Sequence, residues 1–167
     1  MNPRGKPVVL SVLPEGRFTG RSEFADLIRY VLAVAATQGW REMILCDPTF
    51  EDWPLGEREV AQSLTDWAKT GRRLTMLANN YDEILRRHAR FVTWRRTWAH
   101  IIECRRSLSD DMPSALLGPG WVFERLEVQH CTVVAGSEAA RCVALKERIN
   151  ERLRQSSPAF PATIAGL

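Results

Sequence analysis

A chain of 167 residues with 45% apolar side chains can bury one full core and is too short for two ordinary domains. Its net charge of +3 argues for no partner by itself, so weight falls on where the charges sit. The longest apolar run, residues 31–36, is far short of the roughly 20 residues a membrane span needs, which excludes a transmembrane reading.

The first residues lead into a short apolar run with no small-residue cleavage site behind it, so no secretory signal is expected and the product is placed in the cytoplasm. Cys46, Cys104, Cys131 and Cys142 are scattered without a Cys-x-x-Cys pair, which predicts reduced thiols. No His, Cys, Asp and Glu set has a metal-ligand spacing, and no cofactor is expected.

Residues 7–13, Pro-Val-Val-Leu-Ser-Val-Leu, are an apolar run stopped by Pro14, with Gly16 and Gly20 close behind; they predict a strand followed by a loop. Ser22 supplies an N-cap oxygen, and Glu23 and Asp26 put negative charge where a helix dipole favours it. Phe24, Leu27, Ile28, Val31, Leu32 and Ala35 then keep the spacing of one buried helix face, and Gly39 stands where a left-handed cap belongs. Residues 43–46 read as a second strand, apolar throughout. A loop over 47–54 follows, then a helix over 57–70 with Val60, Ala61, Leu64, Trp67 and Ala68 inward and Gly71 closing it.

Residues 74–78 are the third strand. Asn80 and Glu83 have capping-box spacing and open a helix to about Trp98, with Tyr81, Ile84, Leu85, His88, Phe91 and Val92 inward and Arg86, Arg87 and Arg90 outside. Residues 100–105 are assigned as a strand near an edge, and 107–120 as a loop with one helical turn at 114–117. Residues 121–135 hold at least one more strand, most clearly 131–135. Gly136-Ser137 leads into a last helix with Cys142, Val143, Leu145, Ile149 and Leu153 at helical spacing. The domain is drawn over 1–155, with 156–167 a loose tail.

Strands separated by helices of this length predict a single α/β domain, with a mainly parallel or mixed sheet of about five to six strands and helices on both faces. Ligands in such sheets sit beyond the carboxyl ends of the strands, here Gly16-Arg17, Asp47-Pro48-Thr49, Asn79-Asn80, Arg105-Arg106 and Gly136-Ser137. Between Arg72 and Arg106 nine arginines face three acids, a local charge of +6, whereas from Arg41 to Asp66 seven acids face two arginines. Arginine binds phosphate and carboxylate with a planar fork, and Trp94 and Trp98 interleave for stacking. This points to a phosphate-bearing ligand or nucleic acid held by Arg86, Arg87, Arg90 and Arg105; the competing reading is a solvated face paired with acids of a neighbour or a second subunit, a homodimer. His88, on the inner stripe, reads as a packed side chain, and Asp47 beside Pro48 as a turn former. The chain has no Gly-x-Ser-x-Gly elbow, phosphate-binding loop of Walker type or dinucleotide fingerprint.

Residues 43–106, together with His130-Cys131-Thr132-Val133-Val134-Ala135-Gly136-Ser137, resemble one half of a phospholipase D-like domain, in which a His-x-Lys-x4-Asp motif is followed by a Gly-Ser pair. Thr132 stands at the lysine position and Ser137 at the aspartate position. The resemblance implies that His130 is the one catalytic position kept, that Ser137 joins the arginines in anion binding, and that two copies pair. It further implies a domain whose chemistry is lost, or else a phosphodiester hydrolase using His130. The central segment also resembles small uncharacterised bacterial proteins.

Overall fold

The computed structural model describes residues 12–162. In chain order the elements are β1 (Gly16–Thr19), α1 (Arg21–Gln38), β2 (Glu42–Cys46), α2 (Arg58–Ala68), β3 (Arg73–Ala78), α3 (Asp82–Arg87), α4 (Ala89–Thr97), β4 (Ile102–Arg106), β5 (Ser114–Gly118), β6 (Trp121–Glu127), β7 (Thr132–Gly136), α5 (Ala139–Arg154) and β8 (Ser157–Pro158). They build one eight-stranded sheet in the order β1-β7-β6-β5-β2-β3-β4-β8. Among the described residues only β2–β3 and β3–β4 pair in parallel, because only these neighbours are joined by helical crossovers; every other pairing among them is antiparallel. The sheet is therefore mixed, with more strands than the five to six expected.

Alternation along the strands sends Met43, Leu45, Leu74, Met76, Ile102 and Cys104 to one face, under α1 to α4, and Cys46, Leu77, Ala115, Leu117 and Val122 to the other, under α5. Four helices cover the first face and one helix crosses the second. The first face is closed by aromatic packing of Phe24, Phe50, Trp53 and Phe123, with centroids 4.9–5.8 Å apart, edge-on except for the tilted Trp53–Phe123 pair. Among the described residues no helix is long and apolar enough to cross a membrane.

Helix α1 forms as its spacing predicts. Phe24, Leu27, Ile28, Val31, Leu32 and Ala35 are all buried, and Gly39 adopts φ 67°, where a side chain would be strained. Its N-cap is Gly20 rather than Ser22. The predicted strand over 7–13 falls largely outside the described residues; Val12 and Leu13 have no regular structure, and the first described strand is β1, where a loop was expected.

Three further differences have local causes. The helix predicted from Asn80 to Trp98 breaks at His88 (φ −118°, ψ 60°), whose Nε2 bonds the Phe50 carbonyl at 2.9 Å and draws the chain toward the 47–54 loop. The break turns Leu85 outward, leaving it 56% exposed, while Ile84 and Phe91 stay inside. Residues 114–118, expected as loop with a helical turn, are strand β5, which joins the parallel half of the sheet to the antiparallel half. Within the predicted tail, Ser157 and Pro158 pair with β4, and Phe160 is buried against Tyr81 at a ring separation of 5.2 Å.

Candidate functional site

The arginines expected on one face are divided by the sheet. Arg86 and Arg87 lie on α3 and share one acid, Glu83, at 3.4 and 2.7 Å. Arg90, on α4, donates to the Gly56 carbonyl at 2.8 Å. Arg105 alternates to the other side of the sheet, where its Nε donates to Ser156 Oγ at 2.9 Å, its Nη2 to the Ser156 carbonyl at 2.8 Å, and its Nη1 lies 3.4 Å from Glu103. Trp94 is buried against Phe91 and is not free to stack on a base.

His130 occupies the exposed turn between β6 and β7, where Glu127 accepts from its backbone N–H at 3.0 Å and sits 3.3 Å from its Nδ1. Those contacts hold the Glu127 carboxyl below its usual range, the backbone bond first. The Ser137 hydroxyl donates to Glu15 at 2.9 Å. The sheet thus places His130, Ser137 and the arginines apart rather than around one centre. His88 is packed, as its position on the inner stripe predicted.

At the carboxyl end of β2 lies a group that the sequence reading half found. Asp47 forms the expected turn, its Oδ2 accepting from the backbone N–H groups of Thr49 (3.1 Å) and Phe50 (2.7 Å). Its Oδ1 accepts from Arg125 Nη2 at 3.1 Å, and Asp52 accepts from Arg125 Nη1 at 2.9 Å. Arg125 and Asp47 are only 4% and 2% exposed, and the guanidinium lies 4.6 Å from the Phe24 ring centroid. Burial acts to depress the Arg125 pKa, but Asp47, with the Cys131 and Asp52 contacts, more than offsets it and the value rises above that of a free guanidinium. The signal was present in the strand Trp-Val-Phe-Glu-Arg: Trp121, Phe123 and Arg125 alternate onto one buried face, so the arginine needs a buried acid. Nearby, Asn79 Nδ2 donates to the carbonyls of Ser107 (2.7 Å) and Ser109 (2.8 Å), tying the next strand end to its neighbour. The polar side chains Asp47 and Asn79 at these two strand ends are spent on the protein itself.

Among the described residues, α5 is the one helix packed on its side of the sheet. A hollow of about 560 Å³ runs between α5 and strands β2 to β4, lined by Arg73, Arg105, Lys146 and Arg154 against Glu42 and Glu103. Arg73 and Arg105 share Glu103, at 3.1 and 3.4 Å. Lys146 has no polar partner among the described residues. The lining of the hollow carries two more cations than anions, with Arg154 also paired to Glu151 outside it.

No protein-family model matches the sequence, and none of the curated proteins is similar to it. Several solved structures share its fold, among them the following two. TrmBL2, an archaeal chromatin protein whose structure shows a novel mode of DNA binding, superposes with a TM-score of 0.66 at 17% identity over 92% of this chain. The chain spans 58% of the length of TrmBL2. Nuc from Salmonella typhimurium, a phospholipase D family member, superposes with a TM-score of 0.58 at 11% identity over 87% of this chain and 99% of that one. The resemblance to a phospholipase D-like domain therefore holds at the level of fold.

Proposed function

We propose that this domain is a non-catalytic phospholipase D-like module that holds a phosphate-bearing polymer, nucleic acid in the first place, in the hollow along α5. The lining cations of the hollow are Arg73, Arg105, Lys146 and Arg154. The observation that carries the reading is the unbalanced charge of that hollow: four cations against two acids, one cation without a partner among the described residues. Arg73 is exposed and shares Glu103 with Arg105, so it need only rotate to meet a phosphate, while Arg105, held by Ser156, adds fixed positive charge beside it. The DNA binding stated for TrmBL2 supports nucleic acid over other polyanions.

The non-catalytic half of the reading rests on Asp47, Arg125 and Asn79, whose polar atoms at the strand ends are engaged in turn, ion pair and loop contacts. His130 is not given a catalytic role, since its ring is exposed on a turn with Glu127 as its polar neighbour. Arg86, Arg87, Arg90 and Ser137 are likewise left outside the proposed surface.

Binding of a labelled DNA duplex, followed by fluorescence anisotropy, tests this. With about three phosphate contacts, affinity should fall about fortyfold between ~50 and ~200 mM salt. Absence of binding at the lower salt would remove the proposal, and hydrolysis of a phosphodiester by the purified protein would remove its non-catalytic part.

A further inference from the structure

A second hollow, about 280 Å³, opens on the opposite side of the sheet beyond the carboxyl ends of β3 and β4. Alternation decides its charges: Arg106, the last residue of β4, points away from Arg105 and toward α4, where Arg96 also reaches the hollow. Neither arginine has a hydrogen bond or ion pair through its side chain among the described residues. Asp82 is the acid of the lining, so the hollow has a net charge of one positive unit.

The rest of its wall is apolar. Leu85, turned out by the break at His88, and Val92 face it from the two short helices, and Phe160 closes it from the chain segment after β8. Phe160 is fixed by its neighbours. Phe160 stacks on Tyr81 at 5.2 Å and Phe91 at 6.4 Å, and its carbonyl accepts from the buried Arg95 Nε at 3.1 Å. Phe160 also holds φ 46°, a left-handed conformation a bulky side chain keeps only when its surroundings impose it.

We infer that this hollow is a binding site for a small organic monocarboxylate with an aryl or branched-alkyl body. The arginines supply forks for one carboxylate, and Leu85, Val92 and Phe160 take the apolar body. A net charge of one unit matches a carboxylate better than a phosphate monoester, which carries about −1.5 to −2 at neutral pH. The volume, about 280 Å³ and just below the usual range of small-molecule pockets, suits a compact ligand and not a polymer. The site shares no lining residue with the hollow along α5, so neither proposal depends on the other.

Calorimetry on the full chain with phenylacetate as probe tests the inference, with phenylacetamide, acetate and inorganic phosphate as comparisons. Phenylacetate should bind about tenfold or more tightly than each of the three, and Arg96→Met and Arg106→Met should each weaken it about tenfold. Both arginines are exposed, so both variants should keep the wild-type melting temperature and DNA affinity. No phenylacetate binding at millimolar concentration, equal binding of the amide, tighter binding of inorganic phosphate, or unchanged affinity in both variants would overturn it.

Discussion

Arg125 and Asp47 show what a buried charge costs and why it is kept. Both would be expensive to bury alone, and each is tolerable because the other is 3.1 Å away and the remaining carboxylate oxygen caps a turn. Asp47→Ala should destabilise the protein by about 3–5 kcal/mol, read from the midpoint of a denaturant melt, because Arg125 is then left with Asp52 alone. The sequence identified Asp47 as a turn former and could have placed Arg125 inward by parity. It could not join them, since they stand 78 residues apart and depend on strands β2 and β6 being separated by β5 alone. The thiols give a second test at this scale. Burial lifts Cys104 to about 12, with Arg95 opposing and Glu103 adding to the rise, and burial lifts Cys46 further. A thiol whose folded value lies above its unfolded one keeps its proton in the fold while the unfolded chain loses its own. The thiols' contribution to stability should therefore be level below about pH 8.5 and fall from there toward about 12. At neutral pH a thiol reagent should meet Cys142 quickly and Cys46, Cys104 and Cys131 only as the protein opens.

The elements that were legible are those with a period. Helix α1 carries six inward residues at three-and-four spacing and ends on a left-handed glycine, and helix α2 has the same spacing in Val60, Leu64 and Trp67 but is capped by Lys69 in a right-handed conformation. Strand β5 was not legible because it is buried on both faces between β2 and β6, which removes the alternation that marks a half-exposed strand. Its Ala and Gly have weak strand preference, and Pro113, Pro119 and Gly120 around it look like a loop. The glycine has a packing reason: a Cβ on Gly118 would lie 2.3 Å from the Trp40 ring, and Trp40 is itself buried. Gly118→Ala should cost about 1–3 kcal/mol by overpacking, whereas Gly120→Ala, which meets nothing within 4 Å, should cost only the strain of φ 70°. A thermal melt showing Gly118→Ala as stable as wild type would contradict this packing.

At the scale of the whole molecule, the linear run of arginines is not a single surface. Strand β4 sends Arg105 to one face and Arg106 to the other, and α3 and α4 keep Arg86, Arg87 and Arg90 on the four-helix side. Composition could count these charges but not sort them, because sorting needs the sheet between them. The basic hollow lies where α5 meets strands β2 to β4, and it recruits Lys146 and Arg154, which lie far beyond the arginine-rich segment. The most direct measurement compares DNA affinity at low salt for two charge-reversed proteins, Lys146→Glu with Arg154→Glu in one and Arg86→Glu with Arg87→Glu in the other. The first pair should lose most of the binding and the second should retain it; loss confined to the second pair would contradict the account.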